Sequence, residues 1–171
     1  MIKTKNIRKI KIVVLISLII LTATAFVSCG GDKDINIDLI DLADYIASKI
    51  DLDEYIKMPS ERMQNEYNIT EENTAQAVIM ESFNMHSEEK LILVEAVDKD
   101  KVKEIENTLK QRKVEVLKVL VDYDANPDNE NQYHIVDSAK MLIKGNYIFW
   151  AIHSQNSEIN NMIEEFIKDN N

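Results

Sequence analysis

Apolar side chains recur along this chain with helical spacing in some segments and in compact runs in others. Between Ile37 and Ile50 they return every three or four positions, which predicts an amphipathic helix. Leu52–Ile56 are expected to continue that helix briefly before Pro59. The same spacing predicts three further helices: Ser60–Tyr67, about 20 residues starting at Lys101, and Ile159–Ile167.

Two compact apolar runs in the middle of the chain have the composition of strands. Ala75–Phe83 and Leu91–Val97 are rich in Val, Ile, Leu and Phe, and their lengths are typical of strands. The polar segment Asn84–Lys90 between them is typical of a loop. These residues therefore predict two strands that are neighbours in sequence.

Gly145-Asn146 separates two further apolar runs and has the composition of a two-residue type II′ hairpin turn. A two-residue loop fixes the pairing, because the numbers of partnered residues must then add up to 291. The expected pairs are Ile143 with Ile148, Met141 with Trp150, and Ala139 with Ile152. Alternate residues of a strand point to the same side, so these side chains are predicted to share one buried face.

The elements together predict a single α+β domain over residues 37–171. Its sheet is expected to be about four-stranded and mostly antiparallel, with helices packed on it. The whole chain has 171 residues, which is enough for one such domain with its own core and a preceding segment.

Residues 1–28 have the pattern of a secretory signal peptide. Five basic residues precede or border an apolar run, and no acidic residue occurs before Asp32. The apolar stretch Ile12–Val27 is 16 residues long, which is short of the roughly 20 needed to span a bilayer. We therefore predict a cleaved signal over residues 1–28, with an uncleaved N-terminal membrane anchor as the alternative.

Phe26-Val27-Ser28-Cys29 resembles the bacterial lipobox, in which a peptidase cuts before a lipidated cysteine. Phe26 departs from the leucine that is usual at its position. The resemblance implies that Cys29 carries lipid and that residues 29–36 tether the domain to the membrane. It implies a location at the extracytoplasmic face of the cell membrane.

Charge limits the partners of the mature protein. The chain carries 20 basic and 30 acidic residues, a net charge of −10, and removal of residues 1–28 leaves 143 residues with a net charge of −15. Such a balance argues against nucleic-acid binding, which needs clustered Lys and Arg. It also opposes adsorption to anionic lipid, so the lipid on Cys29 is the expected membrane contact.

The stretch from Asp122 to Glu130 copies the alternating oxygen ligands of an EF-hand calcium loop. Pro127 stands where that loop needs Gly, and Tyr133 stands where it needs a bidentate Glu. The same residues form a good helix start, because Asn126 is a favourable N-cap and Pro127 suits the first helical position. We therefore predict a helix start, with calcium binding as the alternative.

Other candidate chemistry is sparse, and no metal or cofactor is predicted. His86, His134 and His153 lie far apart and lack the spacing of metal ligands. Glu81 and Glu95 each interrupt an apolar strand, and we expect both on a solvent-facing strand face or at a sheet edge. The methionines are expected to fill gaps in the core: Met58, Met63, Met80, Met85, Met141 and Met162.

From Tyr67 onward, together with its signal and Cys29, the chain resembles a family of small lipoproteins of low-GC Gram-positive bacteria. The resemblance rests on the two central strands, the helix from Lys101 and Gly145-Asn146-Tyr147. That family is classed as a domain of unknown function and implies no activity. We expect a non-catalytic envelope lipoprotein that binds another envelope protein or a small ligand, with a small carboxylate-based surface hydrolase as the alternative.

Overall fold

The computed structural model describes residues 35–50, 52, 55–122 and 127–170. The predicted signal, Cys29 and most of the predicted tether lie outside these residues. The described elements are α1 (Leu39–Ala47), β1 (Tyr55–Lys57), α2 (Ser60–Tyr67), β2 (Thr74–Ser82), β3 (Lys90–Ala96), α3 (Lys99–Asp122), α4 (Pro127–Ser138), β4 (Met141–Lys144), β5 (Tyr147–Ile152) and α5 (Asn156–Asn170). The predicted α+β class is confirmed.

The strands form one sheet in the order β1-β2-β3-β5-β4, and every neighbouring pair is antiparallel. The described sheet has five strands rather than four, because Tyr55–Lys57 pair with β2 instead of extending the first helix. The predicted helical continuation is therefore wrong. Pro59 follows closely and lacks an N–H group, so the chain leaves the sheet there and turns into α2.

The last hairpin has the predicted register. Met141 pairs with Trp150 and Ile143 pairs with Ile148. The third predicted pair is not part of the ladder, because β4 begins at Met141, after Ala139. Gly145 has a φ of +58°. Among the described non-glycine residues only Asn68 has a positive φ, so the second turn residue, Asn146, does not. A positive φ at the first central residue alone fits the predicted type II′ turn.

Helices cover both faces of the sheet. One face packs against α2, α3 and α4 and buries Ile148 and Trp150, as predicted. The other face packs against α1 and α5 and buries Phe149. The prediction fails for Ile143, which is 37% exposed because it lies beside the turn on edge strand β4.

Hydrogen bonds from β2 fix the point where the chain enters the domain. Gln76 Oε1 accepts from the Leu39 N–H at 3.0 Å. Gln76 Nε2 donates to the Ile37 carbonyl at 3.3 Å and to Glu95 Oε2 at 3.0 Å. Asp38 caps α1 by accepting from two backbone N–H groups. The entering segment is therefore held near the N-terminal end of β2.

No helix within the described ranges is both long and apolar enough to cross a membrane.

Candidate functional site

The loop between β2 and β3 presents two large apolar side chains to solvent. Phe83 is 72% exposed and Met85 is 94% exposed. Ile56 on neighbouring β1 is also exposed, and all three side chains line one cleft on this surface. We call Phe83, Met85 and Ile56 the apolar tip. The expectation that Met85 fills the core is wrong, and exposed side chains of this kind grouped together mark interaction sites.

Local hydrogen bonds give this loop a defined shape. Ser82 Oγ accepts from the Asn84 N–H at 3.2 Å, and Asn84 Oδ1 accepts from the His86 N–H at 3.0 Å. The Ser87 N–H donates to the Asn84 carbonyl at 2.9 Å. These bonds are Asx- and Ser-type turns, which compete well with other backbone conformations. Phe83 and Met85 are therefore exposed on a loop that its own hydrogen bonds hold in shape.

A cleft of about 370 Å³ lies beside the apolar tip. Its charged lining residues are Arg62, Glu81, Glu88 and Lys90. Arg62 contacts both carboxylate oxygens of Glu81 and also pairs with Glu66 on its own helix. Arg62 and Lys90 are thus paired with acids of the protein itself. The feature of this surface that a partner could bury is therefore the exposed apolar tip.

Neither central glutamate occupies the solvent-facing or edge position that the sequence predicted. Glu81 is only 8% exposed, because β1 lies outside it in the sheet and Arg62 reaches over it from α2. Glu95 lies on β3, in the interior of the sheet, and accepts from Gln76. Both carboxylates therefore have structural partners, which satisfies the requirement for burying an acid.

A second polar group lies at the same end of the sheet. Glu89 Oε2 accepts from the Tyr55 hydroxyl at 3.4 Å, and Glu89 Oε1 lies 3.8 Å from His153 Nε2. Burial, and secondarily the charge of Glu89, raises the pKa of Tyr55. His153 Nδ1 accepts from the Gln155 N–H at 3.0 Å, just before α5 begins. This bond connects the residue that precedes α5 to the buried His153 ring.

The remaining sequence candidates do not come together. His86 is exposed in the loop, and His134 is exposed on α4. Within the described ranges no group of three or more His, Cys, Asp or Glu side chains is arranged to hold a metal ion. The helix predicted to start at Pro127 does start there, while residues 123–126 lie outside the description. Cys29 lies outside it as well, so its lipidation stays a prediction.

A groove of about 560 Å³ runs between α2 and β2. Its strand side contains Ala75 and Ala77, beyond the segment Met80–Ser82 that β1 covers. Met58 donates from its N–H to the Ile79 carbonyl, so by alternation the backbone of Ala77 also faces this side. We call this feature the β2 groove, and it is a second concave surface on the domain.

The family model described as Domain of unknown function (DUF4358) matches residues 48–153, which is more than half of the chain. The chain belongs to the DUF4358 family. The DUF4358 span includes the apolar tip and all the strands named above, whereas α1 and α5 lie outside it. Neither the curated proteins nor the solved structures gave a match.

Proposed function

We propose that this DUF4358 protein is a lipid-anchored, non-catalytic binding module at the extracytoplasmic face of the cell membrane. The anchor is lipid on Cys29, and the binding surface is the apolar tip. The observation that carries the binding role is the exposure of Phe83 and Met85 on a loop held by its own hydrogen bonds. The partner that this surface fits is an envelope protein with an apolar recess.

The anchoring half of the proposal rests on residues 1–29. A basic segment, an apolar segment and a small residue before Cys29 form the order expected for a lipoprotein signal. Each buried methylene of an acyl chain contributes about 0.8 kcal/mol, and stable anchoring takes about two chains. A cysteine that becomes the first mature residue offers both a thiol and an amino group for acylation.

The position of the apolar tip supports contact with a protein rather than with the lipid surface. The chain enters the domain beside Gln76, whereas Phe83 follows the other end of β2. Phe83 lies seven positions after Gln76, or about 23 Å of extended chain at roughly 3.3 Å per residue. The tip therefore lies at the end of β2 opposite the residues that enter the domain, which favours contact with a protein over contact with the lipid surface.

The engaged state of the glutamates favours binding over the hydrolase alternative. A carboxylate-based hydrolase needs an acid or a base that can reach substrate. Both oxygens of Glu81 contact Arg62, and the half-buried Glu95 accepts from Gln76. These contacts position the carboxylates within the fold.

Site-specific crosslinking in intact cells tests the binding surface. A photoreactive residue replaces Phe83 in one variant and Val119, which is exposed on α3, in the control. We expect a discrete crosslinked protein from position 83 that disappears when Met85→Ser is added, and no such product from position 119. A third variant carries the probe at Ala75. Equal products from positions 83 and 119 would contradict the proposal, and a product from position 75 alone would move the binding surface to the β2 groove.

Metabolic labelling tests the anchor separately. Wild-type protein is expected to incorporate labelled palmitate and to have Cys29 as its mature N-terminus. Cys29→Ala should incorporate none, whereas Ser28→Ala, which keeps a small residue before the cut, should still be labelled. A mature N-terminus elsewhere, or unlabelled wild-type protein, would favour the uncleaved anchor.

A further inference from the structure

One edge of the sheet is only partly covered. β1 pairs with β2 at Met80–Ser82, and the Met58 N–H donates to the Ile79 carbonyl, but Pro59 then ends the pairing and the chain turns into α2. Alternation along a strand points the N–H and carbonyl of Ala77 to the same side as those of Ile79. Among the described residues neither group of Ala77 has a hydrogen-bond partner on that side, so β2 has an open edge there.

The two edges of the sheet differ in how they are protected. At the other edge, Lys140 directly precedes β4 and Lys144 ends it. Lysines at an edge disfavour the addition of another strand. Residues 74–78 of β2 carry no charge, and the small side chains of exposed Ala75 and half-buried Ala77 leave the backbone accessible. The open part of β2 is therefore a suitable template for a further strand.

The β2 groove has the shape that an added strand needs. The open edge of β2 borders it on one side and α2 on the other, and its volume is about 560 Å³, within the roughly 300–1,000 Å³ of ordinary ligand sites. The buried apolar side chains of Met63 and Ile69 line it. An extended peptide can pair its backbone with such an edge and direct alternate side chains into the groove.

The charge of the groove selects among extended peptides. Its charged lining residues are Glu61 and Glu71, both exposed, and within the part of the chain that the structure describes no Lys or Arg lines it. Neither glutamate forms an ion pair among the described residues. The cleft beside the apolar tip differs, because Arg62 and Lys90 there are paired with acids. Two unpaired acids favour a partner with basic side chains.

We propose that the β2 groove binds a basic segment of another protein in extended conformation. The segment adds as a strand beside Ala77, which exchanges backbone hydrogen bonds with it, and its Lys or Arg side chains lie near Glu61 and Glu71. Residues 74–79 span about 17 Å at roughly 3.3 Å per residue, so the segment is about four or five residues long.

This site is independent of the proposed function, because it uses neither the apolar tip nor Cys29. The groove lies along the first half of β2, whereas Phe83 follows the end of that strand. In the crosslinking experiment described above, a product from position 75 is therefore expected in addition to the product from position 83. The binding measurements below use purified protein and do not depend on either outcome in cells.

Three short synthetic peptides, blocked at both ends and fluorescently labelled, test strand addition by anisotropy with full-length protein in detergent. The first alternates lysine with valine, and we expect saturable one-to-one binding. The second has glutamate in place of lysine and should not bind. The third keeps the lysines but has methyl groups on its backbone nitrogens, so it cannot donate to a strand edge, and its affinity should be about tenfold lower or less. Equal affinity of the first and third peptides, or no saturable binding of the first, would overturn the proposal.

Charge variants locate the bound peptide. The double variant Glu61→Gln with Glu71→Gln should weaken binding of the lysine peptide about tenfold. Glu158→Gln makes the same kind of change on α5, which packs against the other face of the sheet, and should leave the affinity unchanged. A double variant that binds as tightly as Glu158→Gln would show only a general attraction to an acidic domain and contradict the assignment. Dimers in sedimentation that the lysine peptide dissociates would show that a second copy occupies the groove, which would also overturn it.

Discussion

The guanidinium of Arg62 on α2 contacts both carboxylate oxygens of Glu81 on β2, with Nη2 lying 3.1 Å from Oε2. The carboxylate side is about 10% exposed, while the arginine side is 45% exposed. The pair is thus intermediate between a surface ion pair and a buried one. It connects the helix that covers one sheet face to the end of the sheet that carries the apolar tip.

Replacing Glu81 by glutamine is expected to lower the free energy of unfolding by about 1–2 kcal/mol. Fully buried pairs cost roughly 3–5 kcal/mol when one partner is removed, and exposed pairs about 0–1 kcal/mol. Urea denaturation measures the difference. Glu66→Gln is the control, because Glu66 pairs with the same arginine on a more exposed helix surface, and its loss should cost about 0.5 kcal/mol or less. Equal losses in the two variants would contradict the structural role of Glu81.

Gly145 is expected to tolerate asparagine better than valine. Its φ is +58°, and a Cβ built there meets no atom within 4 Å, so only backbone conformation opposes a side chain. β-Branched residues disfavour positive φ strongly, and Asn tolerates it. We expect Gly145→Val to cost about 1–2 kcal/mol and Gly145→Asn about half of that, measured by thermal or urea unfolding. Similar costs for both variants would show that the turn changes its conformation.

The sequence predicts elements best where a local signal is strong. Gly145 determines its turn, and the turn determines the pairing of Met141 with Trp150, so the register follows from a few residues. Tyr55–Lys57 is too short to show an alternating pattern, and its pairing with β2 is a contact between distant residues. Ile143 is apolar in sequence, but its exposure depends on how far the helices extend over edge strand β4.

The candidate site is harder to predict from the sequence than the fold, for related reasons. Met85 in a polar loop was the one available signal of the apolar tip, but methionine is common in cores. The burial of Glu81 requires Arg62, which lies 19 residues earlier in the chain and on another element. Arg112 on α3 and Trp150 on β5 line one small cavity, and no spacing in the sequence predicts that contact.

Calcium is not expected to bind to the Asp122–Glu130 segment better than to a general acidic surface. Pro127 opens α4, and a proline at the sixth position of the loop cannot make the sharp turn that glycine makes there. Calorimetry on the full-length protein in detergent should show no stoichiometric site of micromolar affinity. A stoichiometric site that is lost in Asp124→Ala would contradict the helix-start interpretation of these residues.

The stability of the fold is expected to fall as pH rises above about 10. Burial raises the pKa values of Tyr55, Tyr67 and Tyr147 above that of an ordinary tyrosine, near 10. In that alkaline range the unfolded chain therefore loses tyrosine protons that the folded chain keeps, and the folded state loses relative stability with each further rise in pH. Urea denaturation between pH 8 and 11 measures this slope. Tyr55→Phe removes one of the ionising groups and should make the decline shallower. Parallel curves for wild type and Tyr55→Phe would show that Tyr55 ionises in the folded protein as readily as in the unfolded chain.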